Sequence, residues 1–414
     1  MEVGEKITLA NAIVTLLKHE RHQKLLIAHE DVTDLAIIFV LSYNLYRDAA
    51  IDYQALSVKS IDRAVQDHED EEQLQAIRSK LSARLWDITT IPDFAVKYRP
   101  TSDLIKVFVS WISASEPERQ LCACSVLRNY VCSDEIASEM VQGLNCFKPL
   151  TCILMTGSDT RVLEEALRLA RNLALPVKNR QILLKPSFLD RLTALVTESE
   201  NPNLQSAAIS LLRQLIKGQQ TGVLLLLSSL PETSTPPTTP LSRLLVHYKN
   251  ASDLTVRIEI GRMIVEMWRT IHTPAPSLGP VAEKDTPEET LIKNGEDVVK
   301  PVLSLITESN NPSLVTEGWF GLNLMASSKL GSKAVWNVLH SNEAFAVLKS
   351  TVVDEDSGSK DRDNACILVD KLVREIVSRI SMWAQTSTNS VHTGCALSQA
   401  GFSREFIERK RGTD

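Results

Sequence analysis

The chain has 414 residues, of which 43% are hydrophobic and only 5% aromatic, and its formal net charge is −6. This composition favours stacked helices over sandwiches and barrels, which depend on aromatic and β-branched strands. The acidic balance argues against a duplex-DNA-binding protein, which would carry a basic face, and favours a basic partner.

The cysteines and apolar runs indicate the cellular compartment. Seven cysteines without a paired CxxC spacing, most of them inside apolar helical runs, predict buried, reduced thiols. Residues Met1–Lys6 lack a signal-peptide pattern, and the longest apolar runs, Leu35–Leu41 and Val223–Leu227, are too short to span a bilayer. We therefore expect a soluble protein of the cytosol.

The pattern of apolar residues in 1–100 predicts divergent N-terminal helical repeats. Three helices are indicated: an amphipathic one marked by Leu9, Ile13, Leu16 and Leu17, an apolar one at Leu35–Leu45, and a second amphipathic one marked by Leu74, Ile77, Leu81 and Leu85. An acidic run precedes the last helix and contains Asp67, Glu69, Asp70, Glu71 and Glu72. It is either a solvated helix start or a binding patch for the basic tail of a partner.

From residue 101 to residue 385 the pattern predicts a repeat array. Thr197–Leu204 is nearly copied at Thr307–Leu314, and in each copy an Asn suited to the N-cap precedes a Pro suited to the first helical position. The same frame predicts N-caps at Glu116, Asp159, Asn201, Asn250, Asn311 and Ser359. It predicts small contact residues at Ala123, Ala166, Ala208, Gly318 and Cys366, with Arg257 as the exception.

A polar position recurs near the end of each predicted helix. We call it the marker row: Arg128, Arg171, Arg213, Arg262, Asn323 and Lys371. Its first spacings match the period of armadillo and HEAT repeats, so we predict an all-α, armadillo/HEAT-like right-handed α-solenoid. Longer spacings reflect predicted loops at about 231–241 and 273–292, and residues 386–414 form a polar C-terminal tail.

No motif for bond-making chemistry occurs in the sequence. Phosphate-binding loops, dinucleotide fingerprints and nucleophile elbows are missing, and His19-Glu20-Arg21-His22 has the wrong spacing for a zinc helix. Glu164 and Glu165 are adjacent, so we expect surface carboxylates and not an acid/base pair. We predict no catalytic residue, no metal and no cofactor.

The marker row has two interpretations that can coexist. Its side chains either form a polar binding ladder on the concave face or bond to the backbone of the neighbouring repeat. Asn129 and Asn172 follow two of its members, and Trp268 and Trp319 on the same helices are expected in the core.

The stretch Arg171-Asn172-Leu173-Ala174-Leu175-Pro176-Val177-Lys178-Asn179-Arg180 resembles armadillo-repeat guanine nucleotide dissociation stimulators of the SmgGDS type. The resemblance extends over residues 101–382. It implies a protein that binds small GTPases of the Rho and Ras families, especially those with polybasic, prenylated tails, and stimulates GDP release. An acidic region in such proteins receives the tail, and Asp67–Glu72 is our candidate.

The expected GTPase-binding residues are Arg128, Asn129, Arg171, Asn172, Arg213, Arg262 and Asn323. The alternative is a non-catalytic armadillo scaffold or adaptor that binds an extended peptide or a protein partner. Its importin-like form would need a regular tryptophan ladder, and the tryptophans here do not share one repeat position.

Overall fold

The computed structural model describes residues 3–53, 60–228, 238–273, 287–353 and 359–386, and every regular element in these ranges is an α-helix. The chain divides into two compact units, Met1–Val281 and Ala282–Asp414. This division falls inside the predicted loop at about 273–292, and the proposed segment boundaries at residues 100 and 385 stay predictions.

The first unit contains sixteen described helices. They are α1 (Val3–Leu16), α2 (Glu20–His29), α3 (Val32–Tyr53), α4 (Ser60–Thr89), α5 (Pro92–Lys97), α6 (Asp103–Trp111), α7 (Pro117–Tyr130), α8 (Asp134–Gln142), α9 (Phe147–Thr156), α10 (Thr160–Leu173), α11 (Val177–Leu183), α12 (Pro186–Glu198), α13 (Pro202–Ile216), α14 (Gln220–Leu227), α15 (Pro240–Asn250) and α16 (Leu254–His272).

The described part of the second unit contains six helices. They are α17 (Pro287–Ile292), α18 (Glu296–Thr307), α19 (Pro312–Met325), α20 (Lys329–Leu339), α21 (Asn342–Val353) and α22 (Ser359–Thr386).

The helices repeat in groups of three, with a short first helix and longer second and third helices. In the first unit the third helices α4, α7, α10, α13 and α16 pack side by side in chain order, and we call them the third-helix layer. The second helix of each group packs against its third helix, and α9, α12 and α15 also contact one another in sequence. In the second unit α18 packs on α19, α21 packs on α22, and α19 packs on α22. The predicted all-α solenoid is confirmed.

The predicted helix starts are mostly confirmed. The Asp159 carboxylate accepts hydrogen bonds from the backbone N–H groups of Arg161 and Val162, at 2.9 and 3.2 Å. Asn201 caps α13 and Asn311 caps α19 in the same way. Glu116 is at the N-cap of α7 without a side-chain bond, and Ser359 is the first residue assigned to α22.

The predicted N-cap Asn250 is wrong. Asn250 is the last residue of α15, and the side chain of Asp253 caps α16. The frame is therefore shifted by three residues, almost one helical turn, so Arg262 lies one turn nearer the helix start than Arg171 and Arg213 do in their helices. With Asp253 as the N-cap, the contact position falls on the buried Ile260, which is not a small residue. Arg257 instead stacks on Tyr248, with 5.2 Å between the guanidinium carbon and the ring centroid.

The core confirms one N-terminal helix face and corrects another. Leu74, Ile77, Leu81 and Leu85 are buried as predicted. In the first helix, however, Leu9 and Leu16 are 52% and 56% exposed, so the predicted face is wrong at these two positions, whereas its last member, Leu17, is buried. The buried face consists of Ile7, Ala10, Val14 and Leu17, whose spacing also fits one side of a helix but includes a small residue.

Other core predictions have mixed outcomes. Trp268 and Trp319 are buried as expected, and so are Ala123, Ala166 and Ala208. A Cβ atom at Gly318 would lie 2.6 Å from Cγ1 of Ile306, so close helix packing requires glycine there. Cys122, Cys124 and Cys146 are buried, whereas the prediction is wrong for Cys132 and Cys152, which are exposed.

The two predicted loops are shorter than expected at their C-terminal ends. Helix α15 already begins at Pro240, and α17 occupies Pro287–Ile292. Residues 229–237, 274–286 and 387–414 lie outside the described residues. Within the described ranges, no helix combines the length and the apolar character needed to cross a membrane.

Candidate functional site

The asparagines of the expected binding face connect neighbouring third helices. The amide nitrogen of Asn172 in α10 donates to the backbone oxygen of Arg128 in α7, at 3.0 Å. Asn129 in α7 donates to the backbone oxygen of Trp86 in α4, at 3.3 Å. In the second unit, Asn323 donates to the backbone oxygen of Asn364, at 2.7 Å. Of these three side chains only Asn323 belongs to the marker row, and its bond is of the kind that the structural interpretation of the row predicts.

Lys371 of the marker row has a similar role. Its ammonium donates to the backbone oxygen of Asn323 at 2.8 Å and to the hydroxyl of Ser327 at 3.0 Å. Burial lowers the pKa of this lysine. Most backbone carbonyl groups of a helix already accept a bond within that helix. A side chain of the next repeat that adds a bond to such a carbonyl connects the two helices at one fixed position.

Arg128 belongs to an ion-pair cluster around Glu165 in α10. The Glu165 carboxylate accepts from Nη1 of Arg128, with Oε2 at 3.0 Å, and from Nη1 of Arg168, with Oε1 at 2.9 Å. Arg168 also pairs with Glu164. The side chains of Glu164 and Glu165 are only 17% and 14% exposed, so the prediction of two surface carboxylates is wrong.

A second cluster forms around Glu259 in α16. Its carboxylate accepts from Nη1 of Arg262 at 2.7 Å and from Nη2 of Arg213 at 3.4 Å. The Glu259 side chain is 13% exposed, and its single negative charge is shared by two arginines, so this cluster keeps one net positive charge.

Arg171 lies between these clusters and differs from its neighbours. Within the part of the chain that the structure describes, its guanidinium makes no hydrogen bond or ion pair, and its Nε atom is buried without a partner. Burial lowers the pKa of Arg171 most, Arg213 and Arg262 lower it further, and Glu259 opposes the shift. A cation that is partly removed from water and next to other cations attracts an anion.

A cavity of about 450 Å³ opens beside Arg171. Residues from four consecutive third helices line it: Arg128 from α7; Arg168, Arg171 and Asn172 from α10; Asn203, Ser206, Ala207 and Ser210 from α13; and Thr255 and Glu259 from α16. Nine of these ten lining residues have polar or charged side chains, and three arginines stand against one carboxylate.

The structure thus brings only part of the expected site together. Arg128, Arg171 and Asn172 line the cavity, and Arg213 and Arg262 lie beside it through Glu259. Asn129 is at the α4 contact, and Asn323 belongs to the second unit, so these two do not share the cavity.

The predicted site omits Glu165, Glu259 and Arg168, which organise the charges. A local signal was present, because Glu165 and Glu259 each precede an arginine by three residues on the same helix face. The pairing of Glu165 with Arg128, in contrast, joins positions 37 residues apart and has no local signal.

The C-terminal part of the stretch that carries the family resemblance has a structural role. Asn179 is fully buried, and its amide donates to the backbone oxygens of Leu173 and Ala137, at 2.8 and 3.0 Å. Arg180 is 7% exposed and donates to three backbone oxygens. These two side chains hold the turn between α10 and α11 in place.

The acidic run lies in α4. The side chains of Asp67, Glu69 and Asp70 lie outside the described residues. Glu71 accepts from Nη2 of Arg78 at 2.8 Å, and Glu72 is exposed. Basic-tail binding at this run stays a prediction.

The described residues do not assemble a metal site. Among them, no group of three or more His, Cys, Asp or Glu side chains is placed to hold an ion. His22 belongs to the stretch whose spacing does not fit a zinc helix. Its Nδ1 atom lies 2.8 Å from the backbone oxygen of Leu16.

Comparisons with solved structures define the fold. A designed armadillo repeat protein in complex with the peptide (KR)4 superposes with a TM-score of 0.50 at 15% identity, covering 66% of this chain and 100% of that one. The chain has an armadillo-like repeat fold. An engineered protein superposes with a TM-score of 0.55 at 17% identity. The match covers 72% of this chain and 64% of the engineered protein. Another engineered protein gives 0.50 at 17% identity, covering 66% and 98% of the two chains.

Comparisons of the sequence do not assign the chain to a family. No protein-family model matches the chain, and no curated protein matches it. At the identities found, the structural likeness shows the armadillo-like architecture alone.

Proposed function

We propose that this chain is a non-catalytic armadillo-type scaffold that binds an extended segment of a partner protein along the third-helix layer of its first unit. The cavity beside Arg171 carries the proposal, because four successive third helices contribute polar side chains to one depression. Solenoids use such extended surfaces for binding. The designed armadillo neighbour, solved with a bound peptide, supports the same mode here.

The lining suits a peptide backbone. Asn203, Ser206 and Ser210 present amide and hydroxyl groups along α13, and Thr255 continues them on α16. These groups can donate to and accept from an extended chain, whose own backbone groups are unpaired. Packed helices are 8–10 Å apart, so an extended segment of about ten residues crosses four of them.

Selection of binding peptides tests the proposal. The full chain is immobilised and a displayed library of random linear peptides is selected against it. We expect a family of related peptides, with binding that Asn203→Trp abolishes, because the indole adds bulk at the cavity from an exposed position.

Ser187→Trp is the matched control. Ser187 is also exposed and also directly follows the proline that begins its helix, but it lies on α12, outside the cavity lining. A library that yields no related peptides, or peptides that bind equally to both variants, contradicts binding at this layer.

We also propose, as a second candidate, that the partner is a Rho- or Ras-family small GTPase in the cytosol, whose GDP release the chain stimulates. The resemblance of Arg171–Arg180 to dissociation stimulators of the SmgGDS type favours this. The chain would bind the nucleotide-free GTPase more tightly than the GDP-bound form, which shifts the equilibrium without bond-making chemistry. Arg171 and its flanking arginines are the binding residues in this proposal, since the asparagines are engaged with backbone.

Release of a fluorescent GDP analogue from a panel of small GTPases, with and without the full chain, tests this candidate. Faster release and preferential binding of one nucleotide-free GTPase are expected. Unchanged release across the panel, together with equal binding of loaded and nucleotide-free forms, contradicts exchange activity and leaves the scaffold proposal standing.

A further inference from the structure

We propose that Arg171 binds an Asp or Glu carboxylate of an acidic partner segment, so that the cavity of the third-helix layer selects acidic peptides. This inference rests on the proposed scaffold function and assigns the chemistry of its partner. It makes Arg171 the residue that distinguishes one partner sequence from another.

The charge inventory around the cavity carries the inference. Five arginines, at positions 128, 168, 171, 213 and 262, face three glutamates, at positions 164, 165 and 259. The glutamates are engaged by the other four arginines, at the distances given above. Two positive charges are therefore in excess: one remains with Arg213 and Arg262, which share Glu259, and the other is that of Arg171, the cavity-lining arginine without an ion pair among the described residues.

Folding has already removed part of the water around Arg171. A partner carboxylate that enters the cavity must lose its own hydration, but little further hydration is lost by the arginine. The planar guanidinium matches a carboxylate in two parallel hydrogen bonds, which gives strength and direction to the contact. Arg213 and Arg262 add attraction over a longer range.

The remaining groups of the cavity are compatible with this ligand. Ser206, Ser210 and Asn203 can donate to a carboxylate oxygen or to the peptide backbone beside it. Glu259 is the lining carboxylate, and both its oxygens already accept from Arg213 and Arg262. A basic peptide would face three lining arginines, so we expect the opposite preference from that of the designed neighbour solved with (KR)4.

The peptides selected on the full chain provide the probes for the test. We expect enrichment of Asp or Glu at one position, and a loss of affinity of about tenfold to a hundredfold when that residue is replaced by its amide. Arg171→Gln should cause a similar loss for the acidic peptide and none for the amide peptide. Arg171→Lys should restore part of the affinity, because it keeps the charge and loses the two-point geometry.

Two further variants complete the test. Arg161→Gln is the control, because Arg161 lies in α10 as well but is 63% exposed and pairs with Asp159 outside the cavity lining. Arg171→Glu should bind the peptide in which the selected acid is replaced by lysine, which only a direct contact explains.

The outcomes separate the two proposals. Peptides without acidic enrichment, or acidic peptides that bind Arg171→Gln as well as the natural chain, overturn the carboxylate site and leave the scaffold proposal intact. A library that yields no peptides overturns both.

Discussion

Arg171 and Arg180 stand nine residues apart in the same stretch and have opposite environments. The Arg180 guanidinium donates from Nε to the backbone oxygen of Ala174 at 3.0 Å, from Nη1 to Lys217 at 2.5 Å and from Nη2 to Leu175 at 2.6 Å. The Arg171 guanidinium has none of these bonds among the described residues. Arg180 is used by the fold, whereas Arg171 is the residue for which we propose a role in binding.

Their electrostatics follow the same division. Burial is the largest effect on both and lowers the pKa of each guanidinium. For Arg180, the carboxylates of Glu266 and Asp134 oppose the shift. For Arg171, Arg213 strengthens the shift. Burial therefore disfavours the charge of both guanidiniums, but at Arg180 the neighbouring charges offset part of this effect, whereas at Arg171 the neighbouring arginines add to it and Glu259 opposes them.

Among the substitutions that test this comparison, replacement of Arg180 should change the free energy of unfolding most. In Arg180→Met the backbone oxygens of Leu175 and Lys217 lose these donors, while that of Ala174 keeps the bond from Gln214 at 3.1 Å. We expect a loss of about 3 kcal/mol in the free energy of unfolding, because two hydrogen bonds from a charged donor to part-buried backbone oxygens are lost. Urea unfolding of the full chain, followed by circular dichroism, measures it.

Arg161→Met provides the reference for this measurement, since the Arg161 side chain is 63% exposed. A loss no larger than that of the reference would show that the three carbonyl bonds contribute little, and the contrast between Arg171 and Arg180 would disappear.

The ion-pair cluster around Glu165 should show the next largest effect. Glu165→Gln removes the negative charge shared by Arg128 and Arg168, although Arg168 keeps Glu164. Because the site is largely shielded from water, we expect a loss of about 2 kcal/mol in the same unfolding measurement. The exposed Glu200 supplies the matched variant, Glu200→Gln, and equal midpoints for the two would argue against a structural role of the cluster.

Local patterns in the sequence predict the helices, most of their starts and much of the core. Asp159 and Asn201 are recognisable caps, and the face of Leu74 and Leu81 follows helical periodicity. The shift at α16 shows the limit of this approach, because α16 begins at Leu254 without the proline that marks other helices, and the frame then selects Asn250.

The site is less predictable because its contacts join different helices. The arginines of the marker row can be found from the repeat. Which of them is paired depends on Glu165 and Glu259, whose partners include Arg128 and Arg213 of adjacent repeats. The sequence also presents Arg171–Arg180 as one motif. Only the structure divides it into an available arginine and an end that holds the turn.

Removal of an inter-helix amide should produce a smaller loss. Asn172→Ala deletes the bond to the backbone oxygen of Arg128, and the higher helix propensity of alanine offsets part of the cost. We expect a net loss of about 1 kcal/mol in the free energy of unfolding. A thermal unfolding series with Arg161→Ala as the surface reference measures it, and an unchanged or raised midpoint would assign Asn172 to binding and not to the fold.

Replacement of Arg171 should have the smallest effect and the opposite sign. Arg171→Gln removes a partly buried charge that two neighbouring arginines repel, and it breaks no hydrogen bond or ion pair made among the described residues. We expect a gain of about 0.5 kcal/mol in the free energy of unfolding, larger at low salt than at high salt, since salt screens the repulsion. Urea unfolding at two salt concentrations measures this gain. A loss of stability at both concentrations would mean that Arg171 supports the fold as Arg180 does. A gain combined with lost peptide binding would show that this position is kept for its ligand.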